Sequence, residues 1–205
     1  MIRFVLLASL TSAGFVSLSA NSQPPAKSDD KKDPQAKFEP KSKPGEGQKF
    51  LEKFVGEWDV VKTFHPRTGE PAKSKGTCRQ TMTQEGRFLE SAFTFEGDAG
   101  KTTGTGLIGF EPETGKFTSV WIDSRQTRMS FRQAEEKFDG KKIVLVGKVL
   151  GEGGKDGRRS QTVSTLEDDG KKILHRQSAI DADGKERLVM ELVLTKKPDA
   201  PKPVK

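Results

Sequence analysis

The chain has no tyrosine, a single cysteine (Cys78), a single asparagine (Asn21) and only two histidines, His65 and His175, among its 205 residues. Each scarcity removes a class of protein. One cysteine cannot form an internal disulfide, so an exported domain of this kind must be held by its core. Cys78 itself reads as a small buried apolar residue. A reactive thiol needs a basic setting, and the adjacent Arg79 would point to the opposite face of a strand. Familiar catalytic signatures are also missing: there is no Gly-x-Ser-x-Gly elbow and no His-Glu-x-x-His. The glycine-rich "GEGGKDGRRS" lacks the Gly-Lys-Ser/Thr ending of a phosphate loop and has hairpin character. Glu135-Glu136 and Asp168-Asp169 are adjacent pairs whose side chains diverge, which is no arrangement for acid–base work. The expectation is a protein that is not an enzyme and holds no metal and no cofactor.

Long hydrophobic runs are absent too. The one apolar stretch is the start, "MIRFVLLASLTSAGFVSLSA", with Arg3, a short apolar segment, then small residues. That is a signal-peptide layout over residues 1–20, with cleavage after Ser19 or Ala20. Ser9, Thr11, Ser12 and Gly14 interrupt it, and it is too short to span a bilayer comfortably. No cysteine follows for lipid anchoring, so the mature chain is expected to be secreted or periplasmic, with no transmembrane segment. An outer-membrane barrel is disfavoured. Such barrels need aromatic girdles and an apolar outer band, whereas tyrosine is absent here and both faces of the strands carry charge.

The net charge of +7 does not indicate nucleic acid. Most of it sits on Arg3, on the segment 21–46 and on residues 196–205, while residues 47–195 carry 25 basic and 23 acidic side chains. A nearly neutral folded part offers no basic footprint. Residues 21–46 are rich in Pro, Lys and Asp and bury too little to offset their ordering entropy, so they read as a disordered linker. Residues 197–205 read as a disordered basic tail, which leaves 47–196 as the folded domain.

What is plentiful is turn chemistry. Asp-Gly recurs at Asp139-Gly140, Asp156-Gly157, Asp169-Gly170 and Asp183-Gly184, and Thr68-Gly69 and Thr114-Gly115 mark two further turns. Asp-Gly between alternating segments is a hairpin signal, because the turn needs positive φ. Strands are expected at about 56–64, 73–83, 86–96, 102–110, 116–124, 127–136, 141–150, 158–166, 171–180 and 186–195. Phe117, Ser119, Trp121 and Asp123 share one face, as do Leu188, Met190, Leu192 and Leu194. Ten strands joined by short hairpins predict an all-β, up-and-down antiparallel barrel, closed to protect its edges. Gly104, Gly106 and Gly109 occupy a strand pattern and are expected to mark bends or bulges rather than a dinucleotide site.

The stretch "KFLEKFVGEWDVVKTF" changes period at its middle. Phe50, Leu51, Phe54 and Val55 share one side of a short helix, and Trp58, Val60 and Phe64 then alternate as a strand. Gly56 relieves the corner, and helix plus Trp58 are expected to close one barrel end. Gly56-Glu57-Trp58 resembles the Gly-x-Trp signature of the calycin superfamily of lipocalins, fatty-acid-binding proteins and nitrobindin-like barrels. In order, "FLEKFVGEWDV", "KSKGT", "GRFLE", "GTGLIGF" and "GKFTSVWIDS" resemble a bacterial lipocalin-like family known only as a domain of unknown function. The resemblance spans about residues 47–195, with its best match over 50–124. It implies a barrel, often exported, and brings no established activity. In lipocalins a basic residue late in the barrel packs on the signature tryptophan, which makes Arg187 the candidate here. Nitrobindin-like barrels hold haem by one histidine, which makes His175 a minor candidate for an axial ligand.

Two polar features remain. In "VWIDSRQTR", Trp121, Asp123 and Arg125 would share a face, able to orient a polar ligand head or, alternatively, to form an ion pair stapling the fifth and sixth strands. His175 lies mid-strand, while His65 sits in a turn before Pro66. The leading expectation is an exported barrel that binds a small, largely apolar or amphipathic molecule, with Trp121, Asp123, Arg125 and His175 as candidate contacts. The rival is a filled barrel serving as a structural or protein-interaction module. The sequence leaves the oligomeric state open.

Overall fold

Runs of alternating apolar and polar residues become strands throughout the structure, a computed structural model that describes Phe38 and residues 42–97, 100–148 and 159–198. The chain divides into two units, Met1–Lys41 and Ser42–Lys205. Of the first, only Phe38 is described, in a turn. The signal-peptide reading of 1–20, residues 21–37 and 39–41 of the linker, the Asp156-Gly157 turn and most of the tail lie outside the described residues, while Glu46, read as linker, opens the helix described next.

In the second unit a short helix, α1 (Glu46–Glu52), precedes ten strands. These are β1 (Gly56–Phe64), β2 (Ala72–Thr83), β3 (Phe88–Gly97), β4 (Gly100–Glu111), β5 (Lys116–Asp123), β6 (Ser130–Gln133), β7 (Lys142–Lys148), β8 (Arg159–Glu167), β9 (Lys172–Ile180) and β10 (Glu186–Lys196). Each strand pairs antiparallel with its neighbour in sequence, and β10 returns to β1, closing the barrel. This is the expected all-β meander. The turns form as their chemistry dictates: Gly140 and Gly184 take positive φ, and the Asp139 carboxylate accepts the backbone N–H groups of Lys141 and Lys142.

A seven-residue helix has little stability of its own. Tertiary contacts hold α1. Gln48 Oε1 accepts the Gly45 N–H at 2.7 Å, and Gln48 Nε2 donates to the Phe110 carbonyl of β4 at 2.8 Å. Phe50 and Leu51 are buried behind it. At this end Trp58, Leu51, Leu89 and Phe117 are sealed from solvent, and rings of Phe50, Phe110, Phe117 and Phe138 meet at centroid distances of 4.8–6.2 Å.

The sixth strand departs from expectation. A strand over 127–136 was predicted, but β6 covers Ser130–Gln133 and meets β7 at one residue pair, Gln133 with Val146. The cause lies on its far side. Beyond Gln133 the chain keeps following β5, with the Ala134 N–H on the Phe117 carbonyl and the Phe138 N–H on the Gly115 carbonyl, both at 2.8 Å. That path delivers Phe138 to the aromatic cluster rather than to a ladder with β7.

Candidate functional site: a charged cavity inside the barrel

The closed end is built around Trp58. Its indole N–H donates to the Phe54 carbonyl at 3.1 Å, tying the first strand to the chain leaving α1. Gly56 has φ +149, and a Cβ there would stand 2.8 Å from Lys196 Cε. Glycine is thus needed for the backbone, while the lysine stem could shift to make space. The cation beside Trp58 belongs to Lys196, whose Nζ lies 5.5 Å from the ring centroid. Arg187, the residue expected there, is at the far end of β10, where its Nη1 donates to the His65 carbonyl at 3.5 Å. Register explains the difference: β10 runs antiparallel to β1, so its last residue, Lys196, pairs with Trp58.

Above Phe54 the interior is not filled. A cavity of about 860 Å³ runs from Phe54 to the opposite mouth, where Phe64, Gln126, Arg128 and Met129 border it. Phe93, Phe95 and Trp121 of β3 and β5, with Leu145 and Leu192, supply apolar walls. Ser160, Thr162 and Ser164 of β8 and His175 and Gln177 of β9 supply hydroxyl, imidazole and amide groups. Among the described residues five basic side chains border it, Lys62, Lys73, Arg125, Arg128 and Arg132, against one carboxylate, Asp123.

Trp121 is seated by glycine. A Cβ at Gly104 would lie 2.3 Å from Trp121 Cζ2, and one at Gly106 would lie 3.3 Å from Cε3. These residues, and Gly109 under Phe88, were expected at bends or bulges, yet β4 keeps unbroken register with both neighbours. Gly104 and Gly106 make room for the inward Trp121 ring of β5, and Gly109 makes room for the Phe88 ring on the outward face of β3.

Trp121, Asp123 and Arg125 do come together. The indole N–H donates to Asp123 Oδ2 at 3.1 Å, the Arg125 guanidinium to the same oxygen at 3.2 Å, and the Arg125 N–H to Oδ1 at 2.8 Å. Burial works against the Asp123 charge, but the Arg125 side chain, the Trp121 indole and the Arg125 backbone outweigh it and hold the carboxyl below the usual range. The ion pair spans two residues and closes the end of β5; it does not staple β5 to β6. Nearby, Lys62 Nζ stands 4.2 Å from the Phe95 ring centroid. Burial and the Arg125 charge together lower its pKa, against the pull of Asp123.

His175 lines the cavity, and its Nδ1 meets Ser164 Oγ at 2.8 Å. The pairing follows from register, since Ser164 of β8 lies opposite His175 of β9. Burial and the neighbouring Arg132 charge depress its pKa to about 4, so the ring is neutral at pH 7. A hydroxyl on an imidazole has the form of a nucleophile with its base. This base is far too weak near neutrality, and no carboxylate hydrogen-bonds the ring to strengthen it among the described residues. Among the described residues no cluster of three His, Cys, Asp or Glu residues is placed to hold a metal ion. Cys78 is buried next to Trp58 in register, and burial pushes its thiol pKa up, away from reactivity.

Arg132 was not singled out by the sequence. It points inward from β6, and among the described residues it makes no ion pair and no hydrogen bond, with Nε buried and unpartnered. Burial lowers its pKa. Gly147 of β7 makes space for it, because a Cβ there would come 2.8 Å from Arg132 Cγ. Arg132 also borders a shallower hollow of about 470 Å³ with Leu107, Val120 and Phe131. The one available signal was its position: an arginine alternating in phase with Ser130 and Ala134.

No functionally curated protein matches the chain. Among solved structures, Rv2717c from M. tuberculosis is similar, with a TM-score of 0.55 and 14% identity, over 76% of this chain and 100% of that one. The S-type phycobiliprotein lyase CPES from Guillardia theta is similar at TM-score 0.50 and 11% identity, over 75% of this chain and 94% of that one. At such identities the likeness is one of fold. Residues 43–196 match the family described as "Protein of unknown function (DUF1579)", and the chain belongs to that family.

Proposed function

We propose that this is an exported barrel that binds a small, largely apolar molecule in its interior without transforming it chemically. The cavity of about 860 Å³ carries the reading. Small-molecule sites commonly measure about 300–1,000 Å³, with mostly apolar walls and a few placed polar groups. A barrel filled by its own side chains would leave no such space, and this favours the binding reading over a purely structural module. The weak base at His175 speaks against general-base chemistry. Export is supported by the opening "MIRFVLLASLTSAGFVSLSA".

Native mass spectrometry of protein purified from its own host tests the binding: a complex heavier than the barrel by the mass of one small molecule is expected. A cavity that arrives empty and takes up no apolar probe, such as decanol, would overturn the reading. N-terminal sequencing tests export, with a mature start just after residue 19 or 20 expected and an intact Met1 on cytoplasmic protein counting against it.

A further inference from the structure

We propose that the occupant is an amphipathic anion whose acid group is received by the Arg132 guanidinium while its apolar body lies against Trp121 and Phe93. This rests on the binding reading above and narrows it to a ligand class.

Charge around the cavity is unbalanced. Asp123 is the one carboxylate among the described lining residues, and Arg125 and Trp121 already occupy it. Lys62 is placed on the Phe95 ring rather than on an acid. Arg132 has no partner among the described residues. Arg132 is half-buried with its Nε sealed from water, and drawing a guanidinium away from water without a counter-charge is unfavourable, so proteins normally pair such a group. The protein has kept the cation nonetheless, and Gly147 leaves the space its stem occupies. The neighbouring imidazole does not compensate, since burial, with the Arg132 charge second, keeps His175 neutral. The hydroxyl of Ser74, opposite Lys62 in register, is likewise buried without a partner and borders the same cavity. Donors without acceptors in a space otherwise lined by rings and aliphatic chains call for a ligand with an acceptor-rich anionic head and an apolar tail. A planar guanidinium suits carboxylate and phosphate oxygens equally.

The test uses the full chain and four ten-carbon probes below their micellar concentrations: decanol, decanoate, decyl phosphate and decyltrimethylammonium. Tryptophan fluorescence reports occupancy, because Trp121 lines the cavity and Trp58 does not; Trp121→Phe is the control. At least one anion is expected to bind roughly tenfold or more tightly than decanol, the scale of a charge-assisted hydrogen bond, and the cation more weakly than decanol. Whichever anion binds more tightly separates carboxylates from phosphate esters. Arg132→Met should reduce the anion preference over decanol to within about threefold, while Arg132→Lys should retain part of the preference. Equal binding of anions and decanol overturns the head-group assignment and leaves the cavity reading standing. A preference that survives Arg132→Met removes Arg132 from the role. Failure of every probe, decanol included, overturns the cavity reading and this inference with it. Arg132→Met should fold at least as stably as the parent, because it deletes a half-buried charge without a partner among the described residues; a variant that unfolds would show that the charge has a structural partner and would also sink the proposal.

Discussion

The two tryptophans occupy the two halves of one barrel and behave oppositely. Trp58 and Trp121 both point inward, and both donate their indole N–H at 3.1 Å, one to the Phe54 carbonyl and one to the Asp123 carboxylate. Trp58 is wholly buried among Cys78, Val60 and the chain leaving α1, whereas Trp121 is partly exposed to the cavity. Identical side chains on the same face of a meander thus do different work. The first fills volume and stabilises the fold; the second borders volume that is left open. Packing energy is concentrated at the helix end, and charge without counter-charge at the other.

Substitutions that act on one half and spare the other probe that contrast. Trp58→Ala should be the most damaging, lowering unfolding free energy by about 3–5 kcal/mol in urea denaturation, as for other core Trp truncations. Trp121→Ala should cost clearly less, because part of the ring already faces a cavity. Equal losses would erase the distinction between the halves. Next comes Gly104→Val, which would push the Trp121 ring from its seat, since a Cβ at that position would lie 2.3 Å from Cζ2. Overpacking of this kind typically costs about 1–3 kcal/mol. Its diagnostic feature is a shifted Trp121 emission with Trp58 unchanged, read in single-tryptophan backgrounds.

A smaller effect should appear with pH. The folded-state pKa of His175, about 4, lies below the 6.5 of the unfolded chain, so the unfolded state takes up the proton first. The stability due to a neutral His175 is therefore complete above about pH 6.5 and is lost as pH falls towards 4. His175→Gln should flatten this slope, by up to about 2 kcal/mol between pH 7 and 4.5 once cavity water is allowed for. Identical pH profiles for the two proteins would refute it. The carboxyl of Asp123, held low by its donors, stays ionised across that window. The smallest expected effects are null ones. Hemin should give no Soret shift that depends on His175, and Ser164→Ala should leave p-nitrophenyl butyrate turnover at background. A His175-dependent Soret band would reopen a cofactor role, and a Ser164-dependent rate a catalytic one.

Much of the architecture was legible in the residues because it is locally encoded. The Asp-Gly and Thr-Gly turns read in the described part, the period-two strands and the helix–Gly56–Trp58 joint all rest on preferences spanning a few neighbours, and, the sixth strand apart, each is where its sequence put it. The Trp121–Asp123–Arg125 cluster was legible for the same reason, being contained within five residues. Reading failed where a partner came from a distant strand. Lys196 reaches Trp58 only through the β1–β10 closure, Phe138 shortens β6 only because Phe50 and Phe117 await it, and Ser164 meets His175 only through the β8–β9 register.

The sequence by itself determined a meander of ten antiparallel strands with one end stoppered, since alternation and turn residues act over distances shorter than a hairpin. Only the tertiary structure decided that the other half stays hollow and that Arg132 faces into it without an acid beside it among the described residues. Whether a volume is filled, or a charge neutralised, depends on which side chains converge from strands far apart in the chain, and pairwise spacing along a sequence carries no record of that convergence.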